Sequence, residues 1–408
     1  MNLSIIICVH DTPPRLLSEC LDSVMRQRLS DSEVILVDDG SHTDYSAVTA
    51  SYPVRLHRCK ENRGLLAARL VGLGLAVGDY IAFADADDTV SLCYHEPMLY
   101  AARKYSADIV INGWAFHSGK SKRCCIRDAS MSGKIDARGG DILKLYTRGE
   151  GRDHSLFVQW NKLYSRSLLE VTAQELRRRG VHEMGLTYGE DALMNFYNFR
   201  SARRAVGINS GFYFYRSHEG QCTAEVEMHR VAAQISAMGT VFDIMLRELA
   251  EGTEERRGVL EWRSLTARAQ YAKARRSGNG ELCGLIEERL GAGAHRTPLL
   301  RDEEIYLDCE LLGDNFDDID RAMQGLLLHR GDLSARYPRD CRYIRGIIDS
   351  YDRLFGRHTS YSKDGCVVIP RRKIRLLHGI IHQRQVARLA ARVVKKGSPL
   401  RAYLKRKI

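Results

Sequence analysis

Two short apolar runs near the start of the chain each end abruptly in a cluster of acidic side chains, and this pattern restricts the fold more than any other. Val34–Val37 runs into Asp38-Asp39-Gly40-Ser41, and Tyr80–Phe83 runs into Asp85-Ala86-Asp87-Asp88. Before both comes Leu3–Val9, a continuous β-rich run of the kind found in strands buried on both faces. Helix signals fall between the runs. Thr12 and Pro13 are expected to supply an N-cap and a helix-starting proline, and Leu16, Leu17, Cys20, Leu21, Val24 and Met25 follow on one helical stripe. Val54–Leu56 reads as a third strand, Gly64–Val77 as a helix and Ala107–Asn112 as a fifth strand. Such alternation predicts an α/β fold, a mostly parallel sheet with helices on both faces. Open sheets of this kind bind ligands beyond the carboxyl ends of their strands, so both acidic clusters should face that crevice.

Composition removes whole classes of function. The 408 residues are 44% hydrophobic and 28% charged, ordinary globular values that exclude global disorder and a fibrous repeat. No apolar run approaches the ~20 residues a membrane helix needs. Leu3–Val9 lacks a basic flank and a small-residue cleavage site, so it reads as a strand rather than a secretory signal, and a cytoplasmic location is expected. Eleven cysteines with no CxxC pair argue against a disulfide framework or a zinc site.

The net charge of +11 is concentrated at one end. Residues 371–408 hold 13 Lys or Arg and no acid, which leaves the remaining 370 residues near neutral with 49 basic and 51 acidic side chains. Within this tail Arg384, Arg388, Arg392 and Lys395 share one helical side, and Val386, Leu389, Ala390 and Val393 share another. A basic amphipathic helix of this type suits peripheral contact with an anionic membrane. Docking on the acidic stretch Asp302–Asp320, or a solvated end, are the other readings of the tail; the acidic stretch itself reads first as a solvated face. Nucleic acid is disfavoured because Tyr403 is the tail's one aromatic residue.

Between these ends the pattern is mixed up to Thr223, with Ser118–Arg127 read as a hairpin or mobile loop, Asp191–Phe199 as a helix and Gly211–Arg216 as an aromatic strand. Beyond Glu225 the chain reads as helical. Val231, Ile235, Met238, Phe242, Met245 and Leu249 form a clear amphipathic stripe.

Three acidic positions carry candidate chemistry, each beside a plainer reading. Asp85, Asp87 and Asp88 lie so close that they repel unless solvated or sharing a cation, and a hard ion such as Mg²⁺ or Mn²⁺ suits them. The plainer reading is an acidic turn capping the next helix with Thr89. Asp38 and Asp39 can accept hydrogen bonds from a base edge or ribose, or form an ordinary Asp–Gly turn. Asp191 can serve as a general base or simply favour a helix N-terminus.

The ordered series of motifs resembles the family 2 glycosyltransferases, which have the GT-A fold. It runs through Ser4-Ile-Ile-Ile-Cys-Val-His10, Glu19-Cys-Leu-Asp-Ser-Val24, Val37-Asp-Asp-Gly-Ser41 and Asn62-Arg-Gly-Leu-Leu-Ala-Ala-Arg69. It continues through Gly78-Asp-Tyr-Ile81, Asp85-Ala-Asp-Asp88, Trp160-Asn-Lys-Leu-Tyr164, Gly189-Glu-Asp191 and Tyr213-Phe-Tyr-Arg216. The resemblance covers about residues 1–220 and implies a role at each matching position. Asp39 would bind the nucleotide base, with Arg69 near the nucleotide and Thr12 close by. Asp85 would contact ribose, Asp87 would hold the metal on the donor diphosphate, and Asp88 would support it. Asp191 would be the general base, with Glu190 orienting an acceptor or capping the helix. His218 stands where some relatives place a metal-ligating histidine. Cys8 replaces the family's usual Pro, and His10-Asp11 replaces Tyr-Asn.

The implied activity is inverting transfer from a nucleotide sugar, a UDP-sugar, to a glycan or lipid-linked saccharide, aided by Mn²⁺ or Mg²⁺ and serving polysaccharide assembly. The expected domains are a catalytic unit at 1–223, a helical unit at 224–370 and a basic helical tail at 371–408. One alternative is a nucleotidyltransferase acting on sugar phosphates, which the lack of a Gly-rich basic loop near Ile7–Asp11 disfavours. The other is a non-catalytic binding protein with a basic tail.

Overall fold

The computed structural model describes residues 2–291, apart from 28, 30, 91–93, 119–122, 128–134, 149–153, 187, 218–227 and 277, together with 360–361 and 366–370. The expected boundary at residue 223, His218, the acidic stretch 302–320 and the tail 371–408 lie outside the described residues.

The chain begins as β1 (Leu3–Val9), α1 (Pro14–Met25), β2 (Ser32–Asp38), α2 (Ser46–Thr49), β3 (Arg55–Arg58), α3 (Leu65–Leu75) and β4 (Tyr80–Asp85). Then come β5 (Thr89–Val90), α4 (His95–Tyr105), β6 (Ile109–Ser118), β7 (Arg123–Arg127), β8 (Asp136–Arg138), α5 (Gly140–Arg148) and α6 (His154–Phe157). Next are β9 (Lys162–Ser165), α7 (Arg166–Arg178), α8 (Glu190–Ser201) and β10 (Arg204–Ser217), and α9 (Met228–Arg247), α10 (Glu254–Arg276) and α11 (Gly280–Leu290) follow.

The sheet runs β7-β6-β9-β4-β1-β2-β3, with β10 beside β6. Strands β3, β2, β1 and β4 pair in parallel, as the buried apolar runs predict. The register sets Cys8 opposite Asp85 and Val9 opposite Asp38, so both acidic clusters leave the sheet at the same edge. Strand β9 is the exception. It lies antiparallel between β4 and β6, and its four residues, with Lys162 buried among them, carry no apolar run by which sequence reading could find it. Residues 114–117 of β6 pair antiparallel with 124–127 of β7.

Alternation along β1 sends Ile5 and Ile7 to one apolar cluster with α1 and α4, and Ile6 to the other with α3, α7 and α8. The second cluster continues without a break into α9–α11. The foreseen stripe of Ile235, Met238, Phe242 and Met245 is buried there, and Trp262 of α10 stacks on Phe157 at 4.3 Å. Two expected caps are corrected. Pro13 itself occupies the N-cap of α1 and no side chain caps it, while the Thr12 carbonyl accepts a bond from the Tyr45 hydroxyl. Thr89 begins β5, which pairs with β10, so the acidic turn before it does not cap a helix.

Glu248 of α9 receives the Arg179 guanidinium of α7 through two nitrogens and also pairs with Arg200 of α8. The Arg179 hydrogen bonds, with help from Arg200, hold its carboxyl down at about 2. A carboxylate with a depressed folded pKa stabilises the fold above its unfolded pKa and loses that contribution as pH falls towards the folded value. Glu248→Gln is therefore expected to cost about 1–2 kcal/mol at pH 7, lowering Tm by roughly 2–6 °C. Thermal melts should show the gap between the two proteins closing as pH drops from about 4.5 to 2.

Candidate active site

Arg69 is the centre of the acidic edge. It sits on α3 at 1% exposure, and its guanidinium bonds to Asp191, lies 3.5 Å from Asp85 and reaches Glu190 at 4.0 Å. The Phe83 ring lies beneath it at 5.7 Å. A buried cation of this kind survives only because carboxylates surround it. Although burial opposes its charge, Asp191, Asp85 and Glu190 outweigh that effect and hold its pKa above the ordinary value. The carboxylates outnumber it. Burial, reinforced by Asp191 and Asp87, pushes Asp85 well above the usual carboxylate range against the pull of Arg69. Burial and then Asp191 do the same to Glu190.

The two carboxylate ends arrive by different routes. Asp85 is the last residue of β4, whereas Glu190 and Asp191 open α8. Gly189 precedes them at φ +82°, and a Cβ there would lie 2.6 Å from the Met238 sulfur of α9. Helix α9 thus packs directly on the turn that presents Asp191.

In the acidic turn Asp88 is buried and Asp85 and Asp87 are partly exposed. The backbone N–H of Arg216 donates to Asp88 Oδ1 at 2.7 Å, and that of Asp85 donates to the Tyr213 hydroxyl at 2.9 Å. Burial, then Asp87 and Asp85, raise Asp88 well above its ordinary pKa. Its Oδ2 is buried without a hydrogen bond of ordinary geometry. An orphaned buried carboxylate oxygen beside two accessible ones fits a hard cation. Mg²⁺ and Mn²⁺ need only one or two protein carboxylates when phosphate oxygens complete the shell. Among the described residues no three His, Cys, Asp or Glu side chains form a metal cage by themselves.

Asp39 is 4% exposed and already engaged. Its two oxygens accept the backbone N–H groups of Arg63 and Gly64 at 3.1 and 2.8 Å. Gly40, at φ +67°, lets the turn pass so close that a Cβ would lie 2.4 Å from the Glu61 carbonyl carbon. His10 closes the same corner, with Nδ1 donating to the Asp39 carbonyl and Nε2 accepting from Asn62, both at 2.9 Å. Asp11 accepts the backbone N–H groups of His42 and Thr43. His10 and Asp11, two of the three departures from the family pattern, therefore tie the end of β1 to the loops after β2 and β3.

Sequence reasoning left Trp160 and Lys162 open between an acceptor site and the core. Both are buried. Trp160 stacks on Tyr213 at 4.3 Å, and Lys162 donates to the Val158 carbonyl and Asn161 Oδ1. Gln159, which touches Asp191, escaped that reasoning altogether, and Tyr213, whose hydroxyl supports the acidic turn, entered it as part of an aromatic strand with no role of its own. Neither residue type signals such a role by itself.

Known proteins share this frame. Residues 4–172 match the family described as Glycosyl transferase family 2. The chain is 29% identical over 225 residues to the uncharacterized glycosyltransferase EpsJ of Bacillus subtilis, covering 54% of this chain and 62% of that one. It is 26% identical over 244 residues to the glycosyltransferase GlyA of Streptococcus pneumoniae, covering 58% and 34% respectively. It thus spans less than two thirds of either relative. Among solved structures, S. aureus TarS residues 1–349 in complex with UDP-GlcNAc superposes with a TM-score of 0.51 at 15% identity, over 81% of this chain and 92% of that one, which shows a common fold. The motif order, the parallel sheet and the acidic edge agree with that match, and residues 4–172 are similar to the glycosyltransferase 2 family.

Proposed function

We propose that this chain transfers a sugar from a UDP-sugar to a hydroxyl of a glycan or lipid-linked acceptor, inverting the anomeric centre. The observation that carries the reading is the meeting of Asp85, at the end of the parallel strands, with Asp191, at the start of α8, on one buried arginine. Asp85 is offered to the donor's ribose, and Asp39 and the loop it holds are offered to its base. Asp87, backed by Asp88, would hold a divalent ion on the diphosphate. When bound, such an ion neutralises charge developing on the leaving phosphates.

Asp191 accepts the proton of the attacking hydroxyl. Its side chain remains 22% exposed, and each oxygen keeps a lone pair beyond those facing Arg69 and the Gln159 N–H. One base suffices for a single displacement with inversion. Support for the donor class comes from the TarS neighbour, which is complexed with UDP-GlcNAc. Support for catalysis comes from relatives named glycosyltransferases.

The test is hydrolysis of a panel of nucleotide sugars with Mn²⁺ and without acceptor. Turnover of at least one UDP-sugar is expected, and an inert panel would reject the reading. Asp87→Ala should abolish the gain in UDP affinity that Mn²⁺ confers while the circular dichroism spectrum stays unchanged. Calorimetry giving the wild-type UDP and Mn²⁺ affinity would remove Asp87 from the metal. No helix among the described residues is long and apolar enough to cross a membrane. For the basic tail at 371–408 the proposal is salt-sensitive attachment to anionic lipid, at about 1 kcal/mol per Lys or Arg near the surface. Equal co-sedimentation with neutral and anionic vesicles would reject it.

A further inference from the structure

Asp191 is held from two sides, and only one of them is charged. Opposite Arg69 lies Gln159, fully buried in the turn before β9. Its backbone N–H donates to Asp191 Oδ2 at 3.3 Å and its side-chain Nε2 donates to the Asp191 carbonyl at 3.0 Å. The Gln159 carbonyl oxygen of the side chain faces the Tyr164 hydroxyl at 2.7 Å, and that hydroxyl also faces Asn195 Oδ1 at 2.7 Å. Asn195 stands one helical turn beyond Asp191 on α8 and donates to the Phe157 and Val158 carbonyls. Asn198 and Thr172 extend the chain of bonds to α7. Every side chain of this network behind Asp191 is buried, so its geometry is defined by packing as well as by hydrogen bonds.

We infer that Gln159 is a positioning residue for Asp191, fixing the backbone of the base and the carboxylate oxygen turned away from Arg69 against the turn before β9. The inference rests on the reading of Asp191 as the base for sugar transfer. A displacement of about 1 Å in a catalytic group costs on the order of 100-fold in rate, and nothing else in the described site grips both the main chain and the carboxylate of Asp191. Gln159→Met keeps the length of the side chain but removes both of its hydrogen bonds. Tyr164→Phe keeps Gln159 and removes only the hydroxyl behind it.

The full-length protein with Mn²⁺ and the UDP-sugar it hydrolyses fastest provides the assay, with water as acceptor. Gln159→Met is expected to lower kcat by about 10- to 100-fold and Tyr164→Phe by about 3- to 10-fold, with calorimetric UDP affinity within about twofold of wild type. The acid limb of the kcat profile should also move to higher pH, because without its side-chain bonds the turn at residue 159 lets the backbone N–H draw away from Asp191 Oδ2, and a carboxylate whose donor retreats holds its proton more tightly. Partial misfolding lowers the amplitude of that profile without moving the limb, so an unmoved limb in both variants overturns the inference. Asp191→Asn separates the two levels. If it abolishes turnover while Gln159→Met leaves the limb in place, the positioning role alone fails; if it retains turnover within about tenfold, the base assignment fails and takes the positioning role with it.

Discussion

Asp191→Asn is expected to lower the rate of sugar transfer by roughly two to four orders of magnitude, the usual range for loss of a general base, while nucleotide affinity stays near wild type. The amide keeps the shape of the carboxylate and its contact with the Gln159 N–H, but it cannot take a proton from the acceptor. Donor binding is expected to survive, because the proposed donor groups Asp39, Asp85 and Asp87 lie on the β2 and β4 ends rather than on α8. Steady-state kinetics beside UDP calorimetry make the separation. Transfer within about tenfold of wild type would place the base elsewhere, with Glu190 as the next group to substitute.

Arg69→Met should produce the largest loss of stability, about 3–5 kcal/mol, because it strips the cation from a buried cluster and leaves Asp85, Glu190 and Asp191 to repel one another. The sign of its pH dependence follows from the same cluster. Asp85 and Glu190 are already raised above their ordinary values, and removing Arg69 takes away a charge that holds both down. A carboxyl whose folded pKa is raised favours the fold when protonated, so the variant should recover as pH falls. Denaturant melts should therefore show a wide gap between wild type and Arg69→Met near pH 8 and a narrower one near pH 5, where the raised carboxyls carry protons. A constant gap across that range would mean that the cost is lost packing against Phe83 rather than unpaired charge.

What was readable in the chain was local. The continuous apolar runs of β1, β2 and β4 and the acids that end them predict parallel strands opening on one edge, and the register of Cys8 with Asp85 and Val9 with Asp38 places them there. The stripe of α9 needs only its 3.6-residue period to be recognised, and those residues are buried. The motifs named Asp85, Arg69, Glu190 and Asp191 individually, and the structure gathers all four.

Other features depended on partners far away in sequence. Strand β9 has four residues and a buried lysine, so its place between β4 and β6 comes from the sheet and not from its own propensity. Thr89 has good capping chemistry, yet pairing with β10 makes it a strand residue. Lys162 would ordinarily send its ammonium to solvent, and it stays buried because carbonyl and amide oxygens nearby accept its hydrogens. By itself the sequence determined which side chains stand at the ends of strands and helices, since periodicity and turn chemistry act over a few residues. Only the tertiary structure decided that Arg69 should bridge Asp85 and Asp191, 122 residues from the latter, and that Gln159 should grip the same aspartate. Those contacts are set by strand order and by the docking of α3 and α8 on one sheet edge, and no local pattern encodes the distance between two elements.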